Sequence, residues 1–151
     1  MEEQQAVAPP IHIRQFIVID HQQTPAVPEF EGEVKDFLKE NRVEVDQYLD
    51  FARKLDNALG LAANQASMDG ERYMRRLFAW RHQWPQNRNE WILVINPVIH
   101  EYLGVPRMKD EGCLTWGSEA VVVAMRSPAI KVSYYDHLGN KYENQILRGL
   151  Q

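Results

Sequence analysis

Cysteine is almost missing from this 151-residue chain. A lone Cys113 closes no intrachain disulfide, which excludes a disulfide-stapled fold and suits a reducing compartment. Excess positive charge is missing too. Seventeen Lys and Arg stand against twenty-one Asp and Glu, for a formal net charge of -4, so nothing here would gather the protein on a nucleic-acid backbone or an anionic bilayer. The longest apolar runs, residues 91–95 and 120–125, fall far short of the roughly 20 residues a membrane span needs. The start, Met1-Glu2-Glu3-Gln4-Gln5, is acidic and polar, unlike a secretory leader, and a cytoplasmic address is expected. Repeats and low-complexity tracts are lacking as well. What remains, 44% hydrophobic and 25% charged, is the composition of one soluble globular domain.

Residues 1–10 are polar and close on Pro9-Pro10, and read as a loose arm because they offer too little apolar surface to offset the entropy of ordering. Residues 11–151 read as a single domain. Ile11, Ile13 and the run from Phe16 to Ile19 predict a strand. Over residues 31–57, Val34, Phe37, Leu38, Val45, Tyr48, Leu49, Ala52 and Leu55 recur at helical spacing and define one apolar stripe. Glu29, Glu31 and Glu33 at its start, with Arg53 and Lys54 at its end, complement the helix dipole. Asn41 interrupts the stripe and marks a potential kink. Beyond Gly60 the texture turns extended: strands are predicted at residues 72–81, 91–95, 120–125 and 130–134. Asp136-His137-Leu138-Gly139-Asn140 has the turn chemistry to return the chain as a hairpin through residues 141–146. A long helix followed by several strands predicts an α+β fold with a mostly antiparallel sheet.

Two segments could carry chemistry. In Leu59-Gly60-Leu61-Ala62-Ala63-Asn64-Gln65 the small residues allow close backbone approach and Gln65 brings a donor and an acceptor; the plain alternative is a helix C-cap at Gly60 with the alanines packed on the sheet. In Glu111-Gly112-Cys113-Leu114-Thr115-Trp116-Gly117 the thiolate could bind a borderline divalent metal, or the thiol could be buried and inert. The five histidines include no helical pair four apart, the arrangement that places two imidazoles on one metal. His100-Glu101-Tyr102-Leu103-Gly104 starts like a zinc motif but ends in glycine. Solvated positions are expected for His100 and His137, and for the basic pairs Arg75-Arg76 and Arg81-His82. Core or pocket-wall positions are expected for Trp80, Trp84, Trp91 and Trp116.

Taken together, Gly60-Leu61-Ala62-Ala63-Asn64-Gln65 and Glu111-Gly112-Cys113-Leu114, separated by a strand ending Ile95-Asn96-Pro97, resemble the first two signature motifs of the peptide deformylases. The resemblance runs over residues 31–151. It implies a peptide deformylase-like fold and a metal-dependent hydrolase, usually ferrous, with zinc or nickel as alternatives. Such an enzyme takes the formyl group from the N-terminal formyl-methionine of nascent peptides, which makes the ribosome or nascent chain a candidate partner. By that resemblance Cys113 is a metal ligand. Gln65 and the backbone N–H of Leu114 stabilise the oxyanion, and Leu59, Gly60 and Gly112 line the methionine pocket or bond the peptide backbone.

The family's third motif, an H-E-x-x-H helix with two further ligands and the general base, is not among these residues. Ile146-Leu147-Arg148-Gly149-Leu150-Gln151 resembles the stretch leading into it. Two alternatives follow: an enzyme completed by a C-terminal helix from elsewhere, or a catalytically inactive, metal-free remnant or truncated fragment that still binds formyl-Met or Met-ended peptides.

Overall fold

In the computed structural model, residues 13–19, 25–30, 32–56, 58–112 and 121–148 are described. The predicted arm at residues 1–10, together with Cys113, Leu114 and Trp116, lies outside them. The apolar stripe forms helix α1 (Val34–Arg53), whose Val34, Leu38, Val45, Tyr48, Leu49 and Ala52 are buried. Each of the valines and leucines among them contributes on the order of 1.5–3 kcal/mol when taken fully from water, so packing carries the helix through its one irregularity. That irregularity is Asn41 (φ -120°, ψ 21°), whose Nδ2 donates to Phe37 O at 2.9 Å, a local bond that competes with helical pairing. The helix is shorter at both ends than residues 31–57. Asp36 in the first turn and Arg53 in the last match the dipole.

The strands are β1 (Phe16–Val18), β2 (Gly60–Ala62), β3 (Ala66–Met68), β4 (Glu71–Arg72), β5 (Leu77–Trp80), β6 (Ile92–Leu103), β7 (Arg107–Gly112), β8 (Val121–Arg126), β9 (Ala129–Tyr135) and β10 (Lys141–Arg148). A 3₁₀ turn, Ala63–Gln65, joins β2 to β3. Every described pairing is antiparallel, in sheets ordered β1-β3-β4, β10-β9-β6-β5-β2 and β7-β8. One helix on mostly antiparallel sheets is the α+β arrangement expected.

Several boundaries differ from expectation. The predicted strand at residues 72–81 is two strands, because backbone bonds from Arg75 N to Tyr73 O and from Leu77 N to Arg75 O fold the chain between β4 and β5. The strand from residue 91 does not stop before Pro97 but runs to Leu103. It passes through a bulge between Ile95 and Val98 with Asn96 at φ +51°, and a bulge is where a strand tolerates a residue without an N–H. Gly60 is no helix C-cap: α1 has ended at Arg53 and Gly60 opens β2.

Register assigns the two faces of the five-stranded sheet. Leu61, Ala79 and Leu93 lie opposite one another across β2, β5 and β6 and are buried in the same core cluster as the α1 stripe. Their neighbours Ala62, Phe78 and Val94, also in register, point the other way, since successive side chains alternate. Phe16 of β1 closes the core, with its ring centroid 5.3–5.8 Å from those of Tyr48, Phe51 and Tyr73. The β9–β10 turn docks on the helix through Gly139 (φ +84°), where a Cβ would lie 2.9 Å from the Lys35 side chain; only glycine fits both the conformation and the contact.

Candidate functional site

The first candidate segment is the edge of the five-stranded sheet. Among the described strands β2 is paired only with β5, and none covers its other side. Leu59 is 45% exposed and its carbonyl accepts Arg81 N–H at 2.8 Å, continuing the ladder. At Gly60 a Cβ would meet Ala79 O at 3.3 Å, a close backbone approach that favours glycine. From the core side, the hydroxyl of fully buried Tyr48 donates to Leu61 O. Burial pushes that phenol far above its ordinary value, so it stays protonated and serves as a donor.

Gln65 closes the segment. Its Oε1 accepts Ala62 N–H at 3.0 Å, which fixes the half-buried carboxamide and with it the direction of the coplanar NH₂. Its backbone oxygen accepts Ile19 N–H at 2.9 Å, tying the turn to the strand that begins at Phe16. Asn64 faces the other way: its Nδ2 donates to Pro25 O and its carbonyl accepts Arg72 Nη1 at 2.7 Å.

The second segment is described only as far as Gly112, the last residue of β7, in register with Val121. Arg126 holds the preceding Glu111 in a fork, with Nε 3.0 Å from both carboxylate oxygens and Nη2 2.8 Å from Oε1. That fork holds the Glu111 carboxyl below the ordinary glutamate value. A carboxylate kept ionised by arginine anchors its strand and is a poor general base.

Among the described residues no group of three His, Cys, Asp or Glu side chains converges. By themselves they do not fit a catalytic metal, which takes about three protein ligands and an open position. His137 is exposed. His100 lies within β6 rather than after it, and its Nε2 is 2.7 Å from Ser133 Oγ.

The basic residues correct the expectation of solvated faces. Arg75 lies 3.3 Å from Glu44, whose carboxylate also accepts the Tyr73 hydroxyl at 3.0 Å. Arg76 is half-buried and donates to Pro97 O at 3.1 and 2.8 Å and to Val27 O at 2.7 Å. Arg81 is 7% exposed. With Asn64 on Pro25 O, and Asn96 exchanging bonds of 3.3 and 3.4 Å with Phe30, these side chains strap residues 25–30 across the sheet. Trp91 is in the core, and Trp80 and Trp84 are half-buried.

Beside the strap, on the face opposite α1, lies a cavity of about 580 Å³ lined by Val27, Ala62, Phe78, Val94, Val132 and Leu147 among others. No described helix is long and apolar enough to cross a membrane.

An antiparallel sheet with one helix on its face, and a glutamine locked in a small-residue turn at its edge, define an α+β protein built around that edge. The polypeptide deformylase family model matches residues 14–151, and the chain belongs to that family. The match starts before residue 31, where the sequence resemblance began, and so takes in β1, which pairs with β3 directly after the Gln65 turn.

Among solved structures the chain is similar to a probable peptide deformylase from Synechococcus phage S-SSM7, at 20% identity and a TM-score of 0.63, covering 89% of this chain and 85% of that one. It is also similar to a peptide deformylase from Legionella pneumophila, at 21% identity and a TM-score of 0.65, with 89% and 72% covered. A third, the peptide deformylase from Plasmodium falciparum, shares 25% identity at a TM-score of 0.64, with 89% and 73% covered. No curated protein matches.

Proposed function

We propose that this chain serves removal of the formyl group from N-terminal formyl-methionine of nascent peptides in the cytoplasm, at or near the ribosome. The observation that carries the proposal is the 3.0 Å bond from Ala62 N–H to Gln65 Oε1. Stabilising the oxyanion of an attacked formyl group needs a donor fixed in advance, and anchoring the carboxamide by its oxygen fixes the direction of its donor NH₂. In this reading Gln65 and the Leu114 N–H are those donors, the open β2 edge at Leu59 and Gly60 bonds the peptide backbone, and Gly112 borders the methionine side chain. Cys113 is one ligand of a divalent metal, ferrous iron first and zinc or nickel next.

Since the described residues form no three-ligand set, two histidines and a glutamate come from a helix outside these residues. The apolar cavity floor of Phe78, Val94, Val132 and Leu147 supports a place for it. The test is formate release from a formyl-Met-Ala-Ser peptide by the chain mixed with a polypeptide bearing a two-histidine helix, under ferrous iron, nickel or zinc. Release that falls about 10²–10³-fold in Gln65→Ala is expected from loss of one oxyanion donor. No release in any combination overturns the proposal.

A second reading, in keeping with the lack of a three-ligand set among the described residues, is a metal-free binder of formyl-Met or Met-ended peptides. Calorimetry on metal-stripped protein decides it: binding lost in Gln65→Ala supports it, and absence of binding removes it.

A further inference from the structure

We propose that Arg81 is the positioning residue of the corner formed by Leu59 and Gly60. Its guanidinium clamps the connector that brings those two residues to the sheet edge, and thereby sets where a peptide backbone meets that edge. The second half rests on the deformylase reading; the first does not.

The connector leaves α1 at Arg53 and must deliver an exposed Leu59 to β2 within a few residues. Carbonyls past the end of a helix have no intrahelical partner, and those of Leu55 and Asp56 are met by Arg81 instead: Nη2 donates to Leu55 O at 2.9 Å and Nη1 to Asp56 O at 3.2 Å. The Arg81 backbone N–H donates to Leu59 O at 2.8 Å. One residue thus bonds the connector near its start and at its end, while Ala58, 3% exposed, plugs the middle into the core.

The guanidinium carbon lies 4.6 Å from the Trp91 ring centroid and 5.6 Å from that of Trp84. Among the described residues Arg81 forms no ion pair and its buried Nε has no acceptor. A buried cation without a carboxylate and with an unmet donor is expensive to keep. An apolar side chain would fill the space beside two indoles at less cost. What arginine alone supplies is a rigid fork that reaches two successive carbonyls while it stacks on aromatic rings.

The test uses the full chain with Arg81→Lys and Arg81→Met, since lysine keeps the charge but not the fork. Amide hydrogen exchange reads the corner, and calorimetry with formyl-Met-Ala-Ser reads the peptide. In both variants the amides of residue 81, which donates to Leu59 O, and of Leu61, at the next hydrogen-bonded position opposite Ala79, are expected to exchange at least tenfold faster, with Leu93 and Ile95 unchanged and a single cooperative melt, and the peptide Kd is expected to rise at least tenfold. Wild-type exchange at residue 81 and Leu61 in the lysine variant overturns the clamp. Faster exchange with a Kd within twofold of wild type overturns its link to the peptide. If the wild-type chain binds no peptide, the deformylase reading and that link fail together, and the exchange data alone decide the clamp. Should the methionine variant not fold, Trp84→Ala, which removes one indole and leaves the fork, is expected to give an intermediate acceleration.

Discussion

Replacing Tyr48 by phenylalanine isolates one hydroxyl that joins α1 to the candidate edge strand. The ring is fully buried, with centroids 5.8 Å from Phe16 and 5.4 Å from Tyr73, and phenylalanine keeps all of that packing. The loss is the donor to Leu61 O. Leu61 sits in register with Ala79, and the neighbouring bond from Arg81 N to Leu59 O makes this a hydrogen-bonded position of the ladder, so its carbonyl retains a partner. The cost therefore falls at the net value of one hydrogen bond, about 1 kcal/mol. For a domain of this size that lowers Tm by about 2–4 °C. Tyr48→Ala instead opens a cavity and costs about 3–5 kcal/mol, or about 6–20 °C on the same scale. Calorimetric melts of both variants supply the ratio, and exchange at Leu61 and Ala62, faster in the phenylalanine variant, reports loosening of β2. If phenylalanine is as costly as alanine, or changes neither Tm nor exchange, the hydroxyl is not the tether we describe.

Other perturbations address the remaining parts. The arginine fork depresses the Glu111 carboxyl below its ordinary value, so the contribution of that pair is complete above an unfolded glutamate pKa of about 4.3 and is lost as pH falls through the lower folded value. With side chains 57% and 34% exposed it amounts to less than about 1 kcal/mol. Amide protection factors in β7 and β8, corrected for the intrinsic pH dependence of exchange, should fall below pH 4 in wild type and not in Glu111→Gln. Asp136 accepts from Leu138 N, Asn140 N, Asn140 Nδ2 and Tyr142 Oη at 2.9–3.2 Å; Asp136→Ala should cost about 1–3 kcal/mol in a urea titration and loosen β9 and β10 first. Leu147→Lys, at a half-buried position on the cavity wall, should leave Tm within about 2 °C, as expected away from the packed core, while abolishing formate release restored by an added two-histidine helix.

What the sequence disclosed follows the range of the forces involved. The α1 stripe, the turn at Asp136 and Gly139, and the Gln65 segment are local patterns, and each is where the residues place it. β7 was missed because Arg107-Met108-Lys109-Asp110-Glu111-Gly112 has no apolar alternation; only its pairing with β8 makes it a strand. Pro97 concealed the second half of β6, since a proline usually ends a strand and the bulge that admits it is set by partners far along the chain. Arg76 and Arg81 read as solvated because nothing local tells a charged side chain that faces water from one that bonds distant carbonyls. The one available signal was tryptophan: Trp80, Trp84 and Trp91 surround Arg81 in sequence, and two of them cover it. The relation of Gln65 to Cys113 lies outside the described residues.

The same strands bear on what covers the sheet. An antiparallel sheet with one solvated face reads as apolar alternating with polar, yet Leu77-Phe78-Ala79-Trp80 and Trp91-Ile92-Leu93-Val94-Ile95 are apolar at every position. Register turns Leu77, Ala79, Leu93 and Ile95 to the α1 core and leaves Phe78, Trp80, Ile92 and Val94 on the far side, joined by Ile130 and Val132 of β9 around the cavity. Val94 and Val132 are only 3% and 4% exposed, whereas Phe78, Ile92 and Ile130 remain half-buried, so cover on that face by the described residues is incomplete. Strands apolar on both faces are suited to a layer on each side, and α1 with β1 supplies one. This is the physical support for the proposal that a second helix covers Phe78 and Val132. It also explains why Leu147→Lys separates the proposals: an added charge there blocks the second layer and leaves the first intact.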